Sequence, residues 1–210
     1  MTAESGETVV VVLAGGQSRR FGSDKLAADL GGRTLLDRAL GGLPTTARIG
    51  VVGPERPTGH PVHVVREEPG GGGPAAGLIA GLVWALGDGS EPALILTLPG
   101  DAPGGGAAAT LLADTLVAVP DADAVVATDR AGRDQVLQLA LRPRAARQLI
   151  EAAGPGVGQG QSVRRLLEVL APRPVRRLLS DDLVRDIDTP DQLSDLQQAE
   201  QPQLRNSGRA

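Results

Sequence analysis

The chain has 210 residues, enough for one sizeable α/β domain, and its 41% apolar content must fill the core with Leu, Val, Ile and Ala because aromatics make up only 1%. A net charge of -4 and the near absence of aromatic rings exclude a general nucleic-acid surface and a base-stacking platform. With no cysteine, disulfides and thiolate metal sites are excluded; no apolar run approaches the ~20 residues of a membrane span, and no basic-then-apolar signal pattern opens the chain, so a soluble cytoplasmic protein is expected.

In chain order, Thr8–Leu13 is a β-branched apolar run that reads as a buried parallel strand. A glycine-rich loop follows, to Lys25. Thr34–Leu43 reads as a helix with Leu35, Leu36, Ala39, Leu40 and Leu43 on one face. Arg48–Val52 and Val62–Val65 read as strands bounded by Gly or Pro, Ala75–Leu86 as a helix, and Ala93–Leu98 as a second strongly buried strand. Ala107–Val119 reads as a helix stopped at Pro120, and Ala122–Thr128 and Gln135–Leu141 as strands. Ala145–Ala153 and Ser162–Leu170 read as helices. Pro190–Ala199 is a last helix, with Thr189 as cap and Pro190 at its first position. The glycine clusters Gly70–Gly73 and Gly104–Gly106 read as loops. Residues 1–200 form one domain, and the polar tail 201–210 is expected to be disordered.

Strands alternating with helices predict an α/β fold with a doubly wound, mostly parallel sheet. Ligands on such sheets lie at the carboxyl ends of the strands. That rule selects the loops after Leu13 and Leu98 and the segment before Thr189.

The chain carries twenty arginines and a single lysine, Lys25, which ends the first loop. An ammonium is a compact point charge on a flexible stem, and a guanidinium is a planar fork; a site touching one phosphate oxygen needs the former. Gly15, Gly16 and Gly22 let backbone N–H groups wrap an anion, and Ser18, Arg19, Arg20 and Lys25 add donors and charge. The spacing is neither a P-loop nor the dinucleotide fingerprint. Asp101 is a carboxylate delivered at the carboxyl end of a buried strand, where ligands gather, or else the carboxylate of an Asx turn in that loop. In Asp186-Ile187-Asp188, alternation puts two carboxylates on one face, which repel unless a cation lies beside them. Asp188 and Thr189 also suit a helix cap. His60 and His63 have no cysteine or well-spaced carboxylate partners and read as surface or edge residues.

Leu13-Ala14-Gly15-Gly16-x-Ser18-x-Arg20-Phe21-Gly22-x-Asp24-Lys25 resembles the signature of MobA-type molybdenum cofactor guanylyltransferases. The doubled Gly15-Gly16 resembles the guanylyl branch rather than the cytidylyl one. Glu67-Glu68-Pro69 and the following Gly-Pro-x-Ala-Gly, ending at Gly77, resemble the family's segment beside the nucleotide. That likeness implies that Glu67 or Glu68 accepts from the guanine edge, with Glu68 favoured. Gly53 stands where family members often carry asparagine, so a base contact there must come from backbone. Gly100-Asp101-Ala102-Pro103 resembles the element whose aspartate holds Mg²⁺, with Gly100 in place of a cysteine. Asp186-Ile187-Asp188-Thr189-Pro190 resembles the closing motif, with Asp186 toward the metal. Asp134-Gln135-Val136-Leu137 resembles the acceptor-side strand.

The resemblance implies a Rossmann-like nucleotidyltransferase fold. It implies Mg²⁺-dependent transfer of GMP from GTP to molybdopterin, releasing pyrophosphate. Lys25 and Arg20 would hold the triphosphate, and Leu13, Ala14, Gly15, Gly16, Ser18, Gly53, Glu68 and Asp101 would surround the nucleotide. Asp101 and Asp186 would bind Mg²⁺. Three alternatives stay open: a cytidylyl- or sugar-phosphate nucleotidyltransferase, a non-catalytic GTP-binding homologue, and a purely structural α/β domain.

Overall fold

The protein is described from a computed structural model, over residues 6–16, 21, 24–87 and 91–200. The tail after residue 200, expected to be disordered, lies outside the described residues. Seven strands form one sheet: β1 (Thr8–Leu13), β2 (Arg48–Val52), β3 (His63–Val65), β4 (Leu94–Pro99), β5 (Ala124–Thr128), β6 (Asp134–Leu141) and β7 (Val175–Leu178), in the order β3-β2-β1-β4-β6-β5-β7. Only β6 runs against its neighbours, pairing antiparallel with β4 and β5, while the other pairings are parallel. The helices are α1 (Leu35–Ala39), α2 (Pro74–Leu86), α3 (Gly105–Ala118), α4 (Pro143–Ala153), α5 (Val163–Leu167), α6 (Asp181–Val184) and α7 (Pro190–Glu200).

The doubly wound, mostly parallel sheet is present, and β1 shows why. All four of its inner valines are fully buried, and they alternate between two cores. Val9 and Val11 pack with α2, α4 and α5, whereas Val10 and Val12 pack with α1, α3 and α7. A strand covered on both faces must be apolar at every position, hence the unbroken run. The largest fully buried side chains are leucine and isoleucine throughout, as the scarcity of aromatics requires. Trp84 on α2 is the exception in kind. It packs over Gly50 of β2 at the sheet edge, with the Arg48 guanidinium 4.6 Å above its ring and His63 5.6 Å away.

Several boundaries differ from the pattern. α1 ends at Ala39, because Gly41 and Gly42 follow and Gly42 takes φ +83°. α3 begins at Gly105, so two of the three glycines read as loop form its first turn. Packing explains them: a Cβ on Gly105 would lie 2.9 Å from Leu98, and one on Gly106 would strike the Gly41 carbonyl. β7 and α6 carry no periodic apolar signal. β7 is an edge strand whose Arg176, Arg177 and Leu178 are exposed.

The register of β1 against β4 sets Leu13 opposite Pro99. The carboxyl ends of the two central strands therefore stand side by side, and Gly100 N–H donates to the Leu13 carbonyl at 2.9 Å. α2 reaches the same end of the sheet with its first turn, Pro74 at N1. It comes this close because Gly81 leaves no side chain between helix and strand: a Cβ there would collide with Val11. Gly81→Ala should therefore force α2 or Val11 to move. Such overpacking costs about 1–3 kcal/mol. The expected result is a lower urea midpoint at unchanged slope; an unchanged midpoint would show that the helix seat is not tight.

Candidate nucleotide site

Beyond the ends of β1, β2 and β4 lies a cavity of about 480 Å³. Leu13, Gly15 and Gly16 form one wall, Val52 and Gly53 a second, and Glu67 with Gly71, Gly73, Pro74 and Gly77 a third; Pro99, Asp101 and Leu137 complete it. Much of the wall is glycine, so backbone rather than side chains meets whatever enters. Gly53 is the position where no other residue fits. Its φ is +146°, and a Cβ would lie 2.6 Å from the Ala14 carbonyl oxygen. An asparagine, which the family resemblance would put here, cannot take this backbone without moving the β1 loop.

Lys25 stands at the side of this cavity. It opens a single 3₁₀ turn, Lys25–Ala27, that Asp24 caps by accepting from Leu26 N–H at 3.2 Å. Its Nζ donates to Asp101 Oδ2 at 2.5 Å and to Asp188 Oδ1 at 3.0 Å. Burial opposes its charge, but the two carboxylates outweigh that and raise its pKa above the ordinary lysine value.

Asp186–Asp188 is extended but joins no strand. Ile187 is buried, and its N–H donates to the Asp101 carbonyl at 2.9 Å, so the segment lies directly along the β4 exit. A reciprocal cap sets its far end. The Gln192 side chain accepts from Asp188 and Thr189 N–H at 2.7 and 3.1 Å, and Gln192 N–H donates to Thr189 Oγ1 at 3.3 Å. Thr189 is thus the cap of α7, while the Asp188 carboxylate turns to Lys25.

The expected site residues divide. Leu13, Gly15, Gly16, Gly53 and Asp101 line the cavity. Ala14 lies behind the wall, its N–H donating to Val52 and its carbonyl accepting from Arg56. Ser18 and Arg20 lie outside the described residues. Glu68, favoured from the sequence, is exposed and contributes nothing to the cavity; Glu67 does. The physical reason is that Glu67 Oε1 accepts from Gly71 N–H at 2.7 Å, which curls the chain so that Glu67 faces in and its neighbour faces out. Glu67 Oε2 has no hydrogen bond among the described residues and lies near Gly77. Val52 and the Gly71–Gly77 turn join the wall through β2 and α2. Leu137 joins through β6, where the register shift after Val126 pushes that strand outward.

A family profile of MobA-like NTP transferase domains matches residues 10–176. The chain belongs to that family. Among its relatives is a molybdenum cofactor guanylyltransferase of Sinorhizobium fredii, 43% identical over 108 residues, 49% of each chain. The match thus spans about half the length of that relative. The solved structure of molybdopterin-guanine dinucleotide biosynthesis protein A from Archaeoglobus fulgidus superposes with a TM-score of 0.63 at 20% identity, covering 91% of this chain and 97% of that one. A 2-C-methyl-D-erythritol 4-phosphate cytidylyltransferase from Thermus thermophilus superposes with a TM-score of 0.61 at 19% identity, covering 92% and 98%. Both likenesses are of fold. No helix among the described residues is long and apolar enough to cross a membrane.

In this MobA-like site the carboxylates crowd. Part of Asp186 faces solvent, yet protein around its carboxyl removes hydration, and Asp101 and Asp188 add like charge. Against the opposing pull of Lys25, its pKa rises to about 7. Among the described residues, no three His, Asp or Glu side chains are arranged to chelate a metal unaided. The sign of the pH effect follows. Between roughly pH 4, where an unfolded Asp titrates, and about pH 7, the folded chain keeps a proton that the unfolded chain has lost. This group therefore contributes stability that declines as pH rises through that window. Thermal unfolding from about pH 5 to about pH 8 should show a fall in Tm that is shallower in Asp186→Asn. Equal slopes in the two proteins would show that Asp186 does not carry the shift.

Proposed function

We propose that this chain transfers GMP from GTP to the phosphate of a molybdopterin-type cofactor, releasing pyrophosphate, with Mg²⁺ bound. The observation that carries the reading is the Lys25–Asp101 pair beside a glycine-walled cavity at the ends of the central strands. That arrangement suits a polyanion and its counter-ion, and it occurs in a chain of the MobA-like family. The Sinorhizobium relative's activity and the doubled Gly15-Gly16 support guanine over cytosine.

The donors suit Mg²⁺. Asp101 and Asp186 offer hard oxygens, and a hard cation with one or two carboxylates takes its other ligands from phosphate and water. The carboxylate group already holds one cation, the Lys25 ammonium. In this reading Asp101 and Asp186 hold the ion, and the ion supplies charge neutralisation at the phosphates. Lys25 then carries a point charge to the triphosphate, a task the family resemblance gives to Arg20 as well. The acceptor phosphate is already an anion, so attack on the α-phosphorus needs no general base. A bond forms from the acceptor oxygen to that phosphorus as the bond to the β-phosphate oxygen breaks. The chain's work is positioning and charge stabilisation. Glu67, with one oxygen bonded to Gly71 and the other without a hydrogen bond among the described residues, suits the paired N–H donors of guanine.

Pyrophosphate release should be measured with each of the four nucleoside triphosphates, with and without molybdopterin. Release with GTP only, and only with the acceptor present, is expected. A preference for CTP, or GTP binding without turnover, would replace this reading by one of its rivals.

Glu67→Gln should cut discrimination between GTP and ATP by about tenfold or more, since a mispaired buried polar contact is worth roughly 1–3 kcal/mol. Glu68→Gln should leave discrimination unchanged; the reverse pattern would return the role to Glu68. Lys25→Arg should fold and lose most turnover, because the fork cannot occupy the ammonium's place between Asp101 and Asp188. Full activity in Lys25→Arg would remove the argument from the point charge.

A further inference from the structure

Arg56 lies in the loop after β2, 32 residues beyond Asp24 of the first loop, yet its side chain is buried against that loop, only 7% exposed. Its Nε donates to Asp24 Oδ2 at 2.6 Å. Its Nη1 donates to the Ala14 carbonyl at 2.9 Å and to the Pro54 carbonyl at 3.3 Å. The guanidinium thus grips the first loop at both ends: at Ala14, where the chain leaves β1, and at Asp24, where it enters the Lys25 turn. The other oxygen of Asp24 caps that turn through Leu26 N–H.

The loop that presents Arg56 is itself anchored. Asp37 Oδ1 accepts from Thr58 Oγ1 at 2.6 Å and from Gly59 N–H at 2.9 Å. Asp37 Oδ2 accepts from Thr34 Oγ1, the cap of α1, at 2.8 Å. A chain of charged and capped contacts therefore runs from the start of α1 through Arg56 to Asp24 and Lys25.

We propose that Arg56 is a positioning residue for the nucleotide reaction: it fixes the Lys25 turn through Asp24 and ties it to the end of β1 at Ala14. The inference rests on the nucleotide reading above, and it assigns Arg56 no contact with substrate. The geometry requires a guanidinium. Two nitrogens of one rigid plane reach a carboxylate and a carbonyl that lie on different segments, which a single ammonium cannot span. The arrangement also explains a charged side chain buried beside an anion site without serving as a ligand. Its charge is directed at Asp24, leaving Lys25 to reach Asp101 and Asp188.

A double-mutant cycle tests it. Arg56→Met keeps the apolar stem and removes the fork. It should lower kcat/KM for GTP by about ten- to a hundredfold, the scale on which a displaced catalytic group is felt. In a Lys25→Ala background the same change should cause almost no further loss in kcat/KM or in Mg²⁺–GTP affinity. An equal loss with and without Lys25, or no loss in either, overturns the proposal. Arg56→Lys should recover part of the activity, and free guanidinium should partly rescue Arg56→Met. If Arg56→Met fails to fold, the cycle is run with Arg56→Lys, whose loss must likewise vanish without Lys25.

A second measurement needs no substrate. In hydrogen exchange on the nucleotide-free protein, Arg56→Met should release the Leu26 amide while strand amides such as Val10 stay protected. Retained protection at Leu26 overturns the tether. If another nucleoside triphosphate is the substrate, the cycle is run with that one, and only the choice of guanine fails. If none binds, the nucleotide reading falls and the exchange result alone decides whether Arg56 holds the turn.

Discussion

One ammonium joins three distant parts of the chain. Lys25 reaches Asp101 across 76 residues and Asp188 across 163, and the Ile187 amide closes the third side on the Asp101 backbone. The first loop, the exit of β4 and the entry to α7 therefore share one electrostatic centre. The pair lies partly out of water, Lys25 at 13% exposure and Asp101 at 21%, so the attraction is stronger than for a surface pair, and loss of one partner leaves the other charge poorly solvated. Asp101 and Asp188 both contact the ammonium, and the crowding they impose on Asp186 is what keeps its proton on.

The rest of the fold supplies this centre with neighbours at short range. β1 and β4 end in register, so their loops begin side by side. α2 is drawn onto the sheet by apolar packing and by the gap at Gly81, which brings its glycine-rich approach over the strand ends. Gly53 lets β2 turn under Ala14 instead of colliding with it. At each of these positions a neighbouring strand already fills the space, the Val11 side chain at Gly81 and the Ala14 backbone at Gly53. The glycines thus shape the cavity by permitting close approach, and the charged groups enter from its edges.

The sequence makes the architecture legible where residues repeat, and only there. β1 carries an unbroken run of valines and β2 a short β-branched run bounded by Gly and Pro, and their limits agree with the observed strands to the residue. The alternation Asp186-Ile187-Asp188 tells correctly which side chain goes inward, because a lone isoleucine between carboxylates has one place to go. The choice between Glu67 and Glu68 is not legible, since a turn of Pro and Gly has no period to say which neighbour faces in; the Gly71 amide decides it. β7 is hidden for a related reason. An edge strand of Val-Arg-Arg-Leu after Pro174 buries too little to show a pattern. Arg56 is invisible by any local rule, because its meaning depends on where one loop passes over another.

The cap at the start of α7 bears on how the protein comes into being. A ribosome delivers the chain from its amino end, and a domain closes around the contacts available to it. β1, its loop and β4 emerge early, but the partner of Lys25 that lies 163 residues on arrives only with Asp188. Asp188 in turn is held by Gln192, on a helix seated by the buried Leu193 and tied back to the Asp29 carbonyl through Gln197 at 2.7 Å. Until that helix has been made and has docked, Lys25 lacks the Asp188 carboxylate and the Asp101 exit lacks its flanking segment. The centre is thus completed by a helix that follows all seven strands in the chain, so a nascent or clipped chain that already has its sheet still lacks the Asp188 contact.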